Sequence, residues 1–114
     1  MSLEKLKKLS LPPNVIKALE ELVERLKALY SDVEVYLFGS YARGTWLEDS
    51  DIDLIIISQS FEGMKPEERY RRVRGLASPK LPFEFLIYTP KEFKEVKDRS
   101  IVIQDALEYW IKLA

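Results

Sequence analysis

Two carboxylates and a Gly-Ser pair are the residues of this chain best suited to do chemistry. The apolar run Val35-Tyr36-Leu37-Phe38 stops at Gly39-Ser40. Ten residues separate Ser40 from Asp51, Asp53 follows two positions on, and the chain re-enters an aliphatic run, Leu54-Ile55-Ile56-Ile57. Gly39 has no Cβ, so its backbone can approach another group closely. Ser40, at the head of a short helix, offers a hydroxyl and free backbone N–H groups to a phosphate. Side chains two apart on a strand point to the same face, so Asp51 and Asp53 act as a pair. Paired carboxylates with oxygen-only ligation suit Mg²⁺ that arrives with a nucleoside triphosphate. A Gly-Ser turn or an acidic strand entry, taken alone, reads as ordinary turn chemistry. The two together at this spacing point to a site.

Composition removes most other chemistries. The 114 residues contain no Cys and no His, which excludes disulfides, soft metal sites and histidine- or thiol-based catalysis. Catalysis must rest on carboxylates, Lys, Arg, Ser and Tyr. The net charge of −1 gives no bulk attraction to nucleic acid or to an acidic membrane. The Lys-rich start, residues 1–10, lacks the apolar run of a signal peptide, and no segment is long and apolar enough to span a bilayer. A cytoplasmic protein with a single domain, 1–114, is the expectation.

The elements that must hold the site follow from local pattern. Pro12-Pro13-Asn14 opens a helix whose core face is Val15, Leu19, Leu22, Leu26 and Leu29. Residues 33–38 read as a strand and 40–44 as a short helix. Residues 52–57 are aliphatic on both faces, which predicts a central, covered strand. A charged helix over 66–77, a third strand over 83–88 and a capping box at Thr89-Pro90-Lys91-Glu92 come next. A last helix is expected over about 100–113. Its two apolar stripes (Val102, Ala106, Tyr109, Leu113 and Ile103, Leu107, Trp110, Ile111) exceed what one core needs and suggest a protein partner or a homodimer through this C-terminal helix.

Gly39-Ser40-Tyr41-Ala42-Arg43-Gly44 with Ser50-Asp51-Ile52-Asp53-Leu54 resembles the minimal nucleotidyltransferases of the DNA polymerase β-like superfamily. The resemblance implies an α/β (α+β) nucleotidyltransferase fold in the order αβαβαβα, a small mixed sheet with helices packed mainly on one face. It implies transfer of a nucleoside monophosphate from an NTP, such as ATP, to an acceptor hydroxyl. The family uses a third carboxylate on a neighbouring strand, and Glu84 is the sole acid of the third strand. A Glu there could also be an edge residue facing water. On this basis Asp51, Asp53 and Glu84 are the expected catalytic residues and ligands of two Mg²⁺ ions. Gly39, Ser40, Arg43 and Ser50 are the expected nucleotide-binding residues. Many minimal nucleotidyltransferases are encoded beside HEPN-domain proteins, which implies a toxin–antitoxin setting and a hydroxyl on a HEPN partner as acceptor. The rival expectation is a binding module that neutralises its partner by contact.

Other residues leave two readings open. Arg43 either pairs with a phosphate or braces the turn against Glu48 or Asp49. Ser50 orients the loop into Asp51. Tyr41 and Trp46 either stack on a base or pack locally. Arg69, Arg71, Arg72 and Arg74 form either a solvated face or an anion site for the acceptor.

Overall fold

The computed structural model describes residues 10–114, so the reading of the Lys-rich start lies almost wholly outside the described residues. Helix α1 (Pro13–Leu29) starts with Pro at its first position, where a missing N–H costs nothing. It buries Val15, Ala18, Leu19, Leu22, Val23 and Leu26. Leu29, expected in that face, is 60% exposed. The helix ends there, and Tyr30 supplies the packing instead, with its ring 5.0 Å from that of Phe61.

Four strands form one mixed sheet. Strand β1 (Glu34–Phe38) runs antiparallel to β2 (Ile52–Ile57), and β2 runs parallel to β3 (Phe83–Tyr88). A fourth strand, β4 (Ile111–Lys112), pairs antiparallel with β1, which gives the order β3-β2-β1-β4. The sheet places β2 between β1 and β3, as its two-sided aliphatic pattern demands. Ile52, Leu54 and Ile56 join one core with Val35, Leu37, Phe83 and Phe85, while Ile55 and Ile57 join a second with Tyr36. The longer helices, α1 and α3 (Pro66–Leu76), contribute to the first core. Short helices α4 (Pro90–Val96) and α5 (Ile101–Leu107) cover the second face through Phe93, Val96, Ile103 and Ala106. Helix α2 (Gly39–Arg43) joins β1 to the loop before β2. Among the described residues no helix is long and apolar enough to cross a membrane.

The C-terminus departs from expectation. The helix begins at the Ser100 cap, whose hydroxyl accepts from Ile103 N–H, but it ends at Leu107 and not at 113. Strand pairing wins over helix continuation. Leu113 N–H donates to Val35 O at 2.7 Å, and Val35 N–H donates to Ala114 O at 3.0 Å, so the edge of β1 is closed. Ile111 is a good strand former, and Tyr109 and Trp110 find packing partners in the turn that leads into it. The Trp110 ring stacks 3.7 Å from that of Tyr36, and Leu113 is buried in the first core. The two helical stripes therefore do not exist as surfaces. Their apolar members are largely absorbed inside the chain, and only Ile101 and Val102 remain strongly exposed on α5. The argument for a homodimer through this helix loses its basis.

The basic run on α3 is mostly structural. Arg69 is buried, donates to both Glu92 oxygens at 2.5 and 3.0 Å, and also reaches Met64 O and Ile87 O. Arg74 donates to Ser78 O and Leu81 O, and Arg72 pairs with Glu68 at 3.5 Å. The solvated-face reading is closer than the anion site, because three of the four guanidiniums are already engaged. Glu92 also closes the predicted capping box with Thr89. The Arg69 hydrogen bond holds the Glu92 carboxyl down at about 2. A depressed carboxyl stabilises the fold above its unfolded value of 4.5, and that contribution is lost as pH falls toward 2. Arg69→Met should cost about 2–3 kcal/mol in urea unfolding at pH 7, because it strands Glu92 and two carbonyls. The deficit should shrink on acidification toward pH 2.

Candidate active site

Three backbone facts build the site. Phe38, the last residue of β1, sits opposite Asp53 on β2. The chain then turns at Gly39 with φ +74°, a left-handed conformation that L side chains resist. A Cβ at Gly39 would overlap the Asp53 carboxylate oxygen Oδ2 and lie 3.0 Å from Asp53 Cγ. Glycine is thus required twice over, by the turn and by the carboxylate beside it.

Asp53 is in register with Glu84 on the parallel neighbour β3. Adjacent strands lie about 4.8 Å apart, and in-register residues share a face, so the two carboxylates stand side by side on the second face of the sheet. Asp51 lies two residues before Asp53, just ahead of the strand, and is exposed. Asp53 itself is half-buried. Burial pushes its carboxyl up to about 6, with the charges of Asp51 and Glu84 adding to the shift. A carboxylate so placed lacks a compensating cation. Among the described residues no group of three or more His, Cys, Asp or Glu is drawn together tightly enough to form a ready cage for a metal ion. The oxygen-only donors and their mutual repulsion still fit a hard divalent cation that brings further oxygen ligands of its own.

The remaining candidates fall into two groups. Ser40 lies in the first turn of α2, and its side chain caps nothing there. Its carbonyl accepts from Gly44 and Thr45, which ends the helix at a left-handed Gly44. Ser50 closes the loop before Asp51: its hydroxyl accepts from Leu47 N–H at 2.7 Å, and its own N–H donates to Leu47 O at 3.0 Å. Arg43 braces neither Glu48 nor Asp49. Its guanidinium pairs with Asp105 on α5 and lies 4.2 Å above the Tyr109 ring. Tyr41 and Trp46 pack on each other, with ring centroids 5.5 Å apart, which is the local reading.

Sequence reasoning missed two residues. Asp105 holds Arg43, and Tyr109 receives the Gly39 N–H on its hydroxyl at 3.3 Å. Both were assigned to one long helix, and the break after Leu107 is what turns Tyr109 toward Gly39. A groove of about 620 Å³ lies beside β3, lined by Phe85, Leu86, Ile87 and Tyr88 with Arg69 and Glu92, and none of the candidate site residues lines it.

Comparison with known proteins bears on this arrangement. A family model described as "Nucleotidyltransferase domain" matches residues 19–110. Two Methanocaldococcus jannaschii proteins carry the name "Putative protein adenylyltransferase" and resemble the chain over part of its length. One is 37% identical over 57% of this chain and 43% of its own length. The other is 29% identical over 72% of this chain and 89% of its own. The match with the first spans less than half of that relative. A Sulfolobus solfataricus crystal structure of a "putative nucleotidyltransferase" superposes with a TM-score of 0.59 at 27% identity, covering 84% of this chain and 80% of that one. A second structure so described superposes at 0.54 with 31% identity, covering 84% of this chain and 97% of that one.

Proposed function

The chain belongs to the nucleotidyltransferase domain family and is an enzyme of that kind; from that premise we propose that it moves a nucleoside monophosphate from a nucleoside triphosphate, ATP foremost, to a hydroxyl on a partner protein. The observation that carries this reading is the in-register pair Asp53 and Glu84 beside the Cβ-less Gly39. It supplies two oxygen donors on rigid strands and an open backbone next to them. The names of the relatives favour a protein as the acceptor. The resemblance of the Gly-Ser and Asp-x-Asp motifs favours a HEPN-domain protein as the one that presents it.

Asp51, Asp53 and Glu84 would hold Mg²⁺, two ions by resemblance. Magnesium so bound neutralises triphosphate charge and lowers the pKa of an attacking hydroxyl. The Ser40 hydroxyl and the backbone N–H groups after Gly39 would hold the phosphates, the Gly39 N–H itself being taken by the Tyr109 hydroxyl. Ser50 keeps the loop closed so that Asp51 stays on the same side as Asp53. Glu84, exposed and in register with Asp53, would complete the second metal site or accept the acceptor's proton. The acceptor hydroxyl would attack the α-phosphorus. The new bond joins the acceptor oxygen to phosphorus, the bond to the β-phosphate oxygen breaks, and pyrophosphate leaves.

The test is positional labelling. Protein, Mg²⁺ and a HEPN-domain partner are incubated with ATP labelled at the α-phosphate or at the γ-phosphate. The proposal expects label on the partner only from the α position. Label from the γ position alone would replace nucleotidyl transfer by phosphoryl transfer. Stable association without label would favour the contact-only binding module.

A further inference from the structure

We infer that Tyr109 is part of the nucleotide site and presents its phenol O–H to the triphosphate. The inference rests on the function proposed above. Tyr109 lies 70 residues from Gly39 in sequence, yet its hydroxyl accepts the Gly39 N–H at 3.3 Å. That bond uses an acceptor lone pair and leaves the hydroxyl proton to be given elsewhere. Among the described residues no protein acceptor takes it. Gly39 is the residue whose backbone lies against the Asp53 carboxylate. The phenol therefore stands within one hydrogen bond of the backbone that borders the acidic pair.

The ring is held from outside the site. The Arg43 guanidinium lies 4.2 Å above it, and Asp105 on α5 fixes that guanidinium. The stacked cation holds the ring and the N–H donated to the oxygen holds the hydroxyl, which leaves the O–H proton free to be given to a ligand. The pairing also gives Arg43 a place in the site that needs no direct phosphate contact. Arg43 and Asp105 act as positioning residues for Tyr109. The C-terminal segment, from α5 into β4, is by this account a wall of the nucleotide site.

The experiment compares wild type with Tyr109→Phe, which keeps the ring and its Arg43 contact and removes only the hydroxyl. Binding of a non-hydrolysable ATP analogue with an α,β-methylene bridge is measured with Mg²⁺, alongside binding of AMP. Thermal unfolding of both proteins is recorded without ligand. A hydrogen bond to a charged phosphate predicts about tenfold weaker analogue binding in the variant, with AMP binding unchanged and the unfolding midpoint lowered only slightly by loss of the acceptor for the Gly39 N–H. Equal analogue affinities in the two proteins would overturn the inference and leave the proposed function standing. Parallel losses for analogue and AMP would assign Tyr109 a purely structural role and also overturn it. Wild type that fails to bind the analogue at all would count against the proposed function itself. Arg43→Gln is the second variant. It should weaken analogue binding by less than Tyr109→Phe does, and a larger loss would make Arg43 a direct phosphate ligand.

Discussion

Asp53→Asn is expected to abolish nucleotidyl transfer, by at least about a thousandfold, while making the ligand-free protein more stable above pH 6. The two effects share one cause. Asp53 is half-buried among like charges, and its carboxyl is raised from 3.8 to about 6. A raised acid binds its proton more tightly in the folded state than in the unfolded one. The native state then gains from protonation, so stability declines as pH rises from about 4 through 6 and stays lower above that. The amide has no charge to desolvate and none to set against Asp51 and Glu84. After allowance for solvent screening of a half-exposed group, the gain is about 1–2 kcal/mol at pH 7.5, and it vanishes at pH 4. Urea unfolding of both proteins across this range measures it. Saturating Mg²⁺ with nucleotide should reverse the order, since ligand binding stabilises only the protein able to hold it. An Asp53→Asn protein that is less stable at pH 7.5 would contradict the electrostatic reading of the site.

Gly39→Ala is the second large effect. The new methyl group would overlap Asp53 Oδ2, and the backbone at φ +74° disfavours any side chain. The conformational strain alone costs roughly 1–2 kcal/mol. The overlap cannot be relieved cheaply, because Asp53 sits on the central strand between two partners. A total of about 3–4 kcal/mol is expected, with transfer lowered at least a hundredfold as Asp53 is displaced. Gly44→Ala is the control. Its φ is +80°, but nothing lies within 4 Å of a Cβ there, so it should show the strain without the loss of activity. Equal activity losses for the two variants would mean that the turn, and not the carboxylate contact, sets the requirement at Gly39.

Local sequence carried the elements whose reasons are local. The two-sided aliphatic pattern of residues 52–57 identified the covered strand, and Thr89 with Glu92 identified a helix start. Gly39 could be read because a turn is a property of a few adjacent residues, whereas Asp51, expected on one strand with Asp53, lies just ahead of β2. Glu84 could be read as a partner for them only through resemblance, and the parallel register of β2 with β3 now sets it beside Asp53. The C-terminus was misread because its apolar spacing suits a helix, while the free edge of β1, some 75 residues earlier, takes residues 111–112 as a strand. No local pattern contains that competition. The contact of Gly39 with Tyr109 was illegible for the same reason, since it depends on where α5 stops, and that of Arg43 with Asp105 depends on where α5 packs, which no local pattern carries.

The measurement to make is the intact mass of the proposed HEPN-domain partner after co-expression with wild type and with Asp53→Asn. The account predicts a gain of one or more nucleotidyl units with wild type and none with the variant, while both still co-purify with the partner. An unmodified partner that wild type and Asp53→Asn inhibit equally would contradict the account and leave a protein that acts by contact alone.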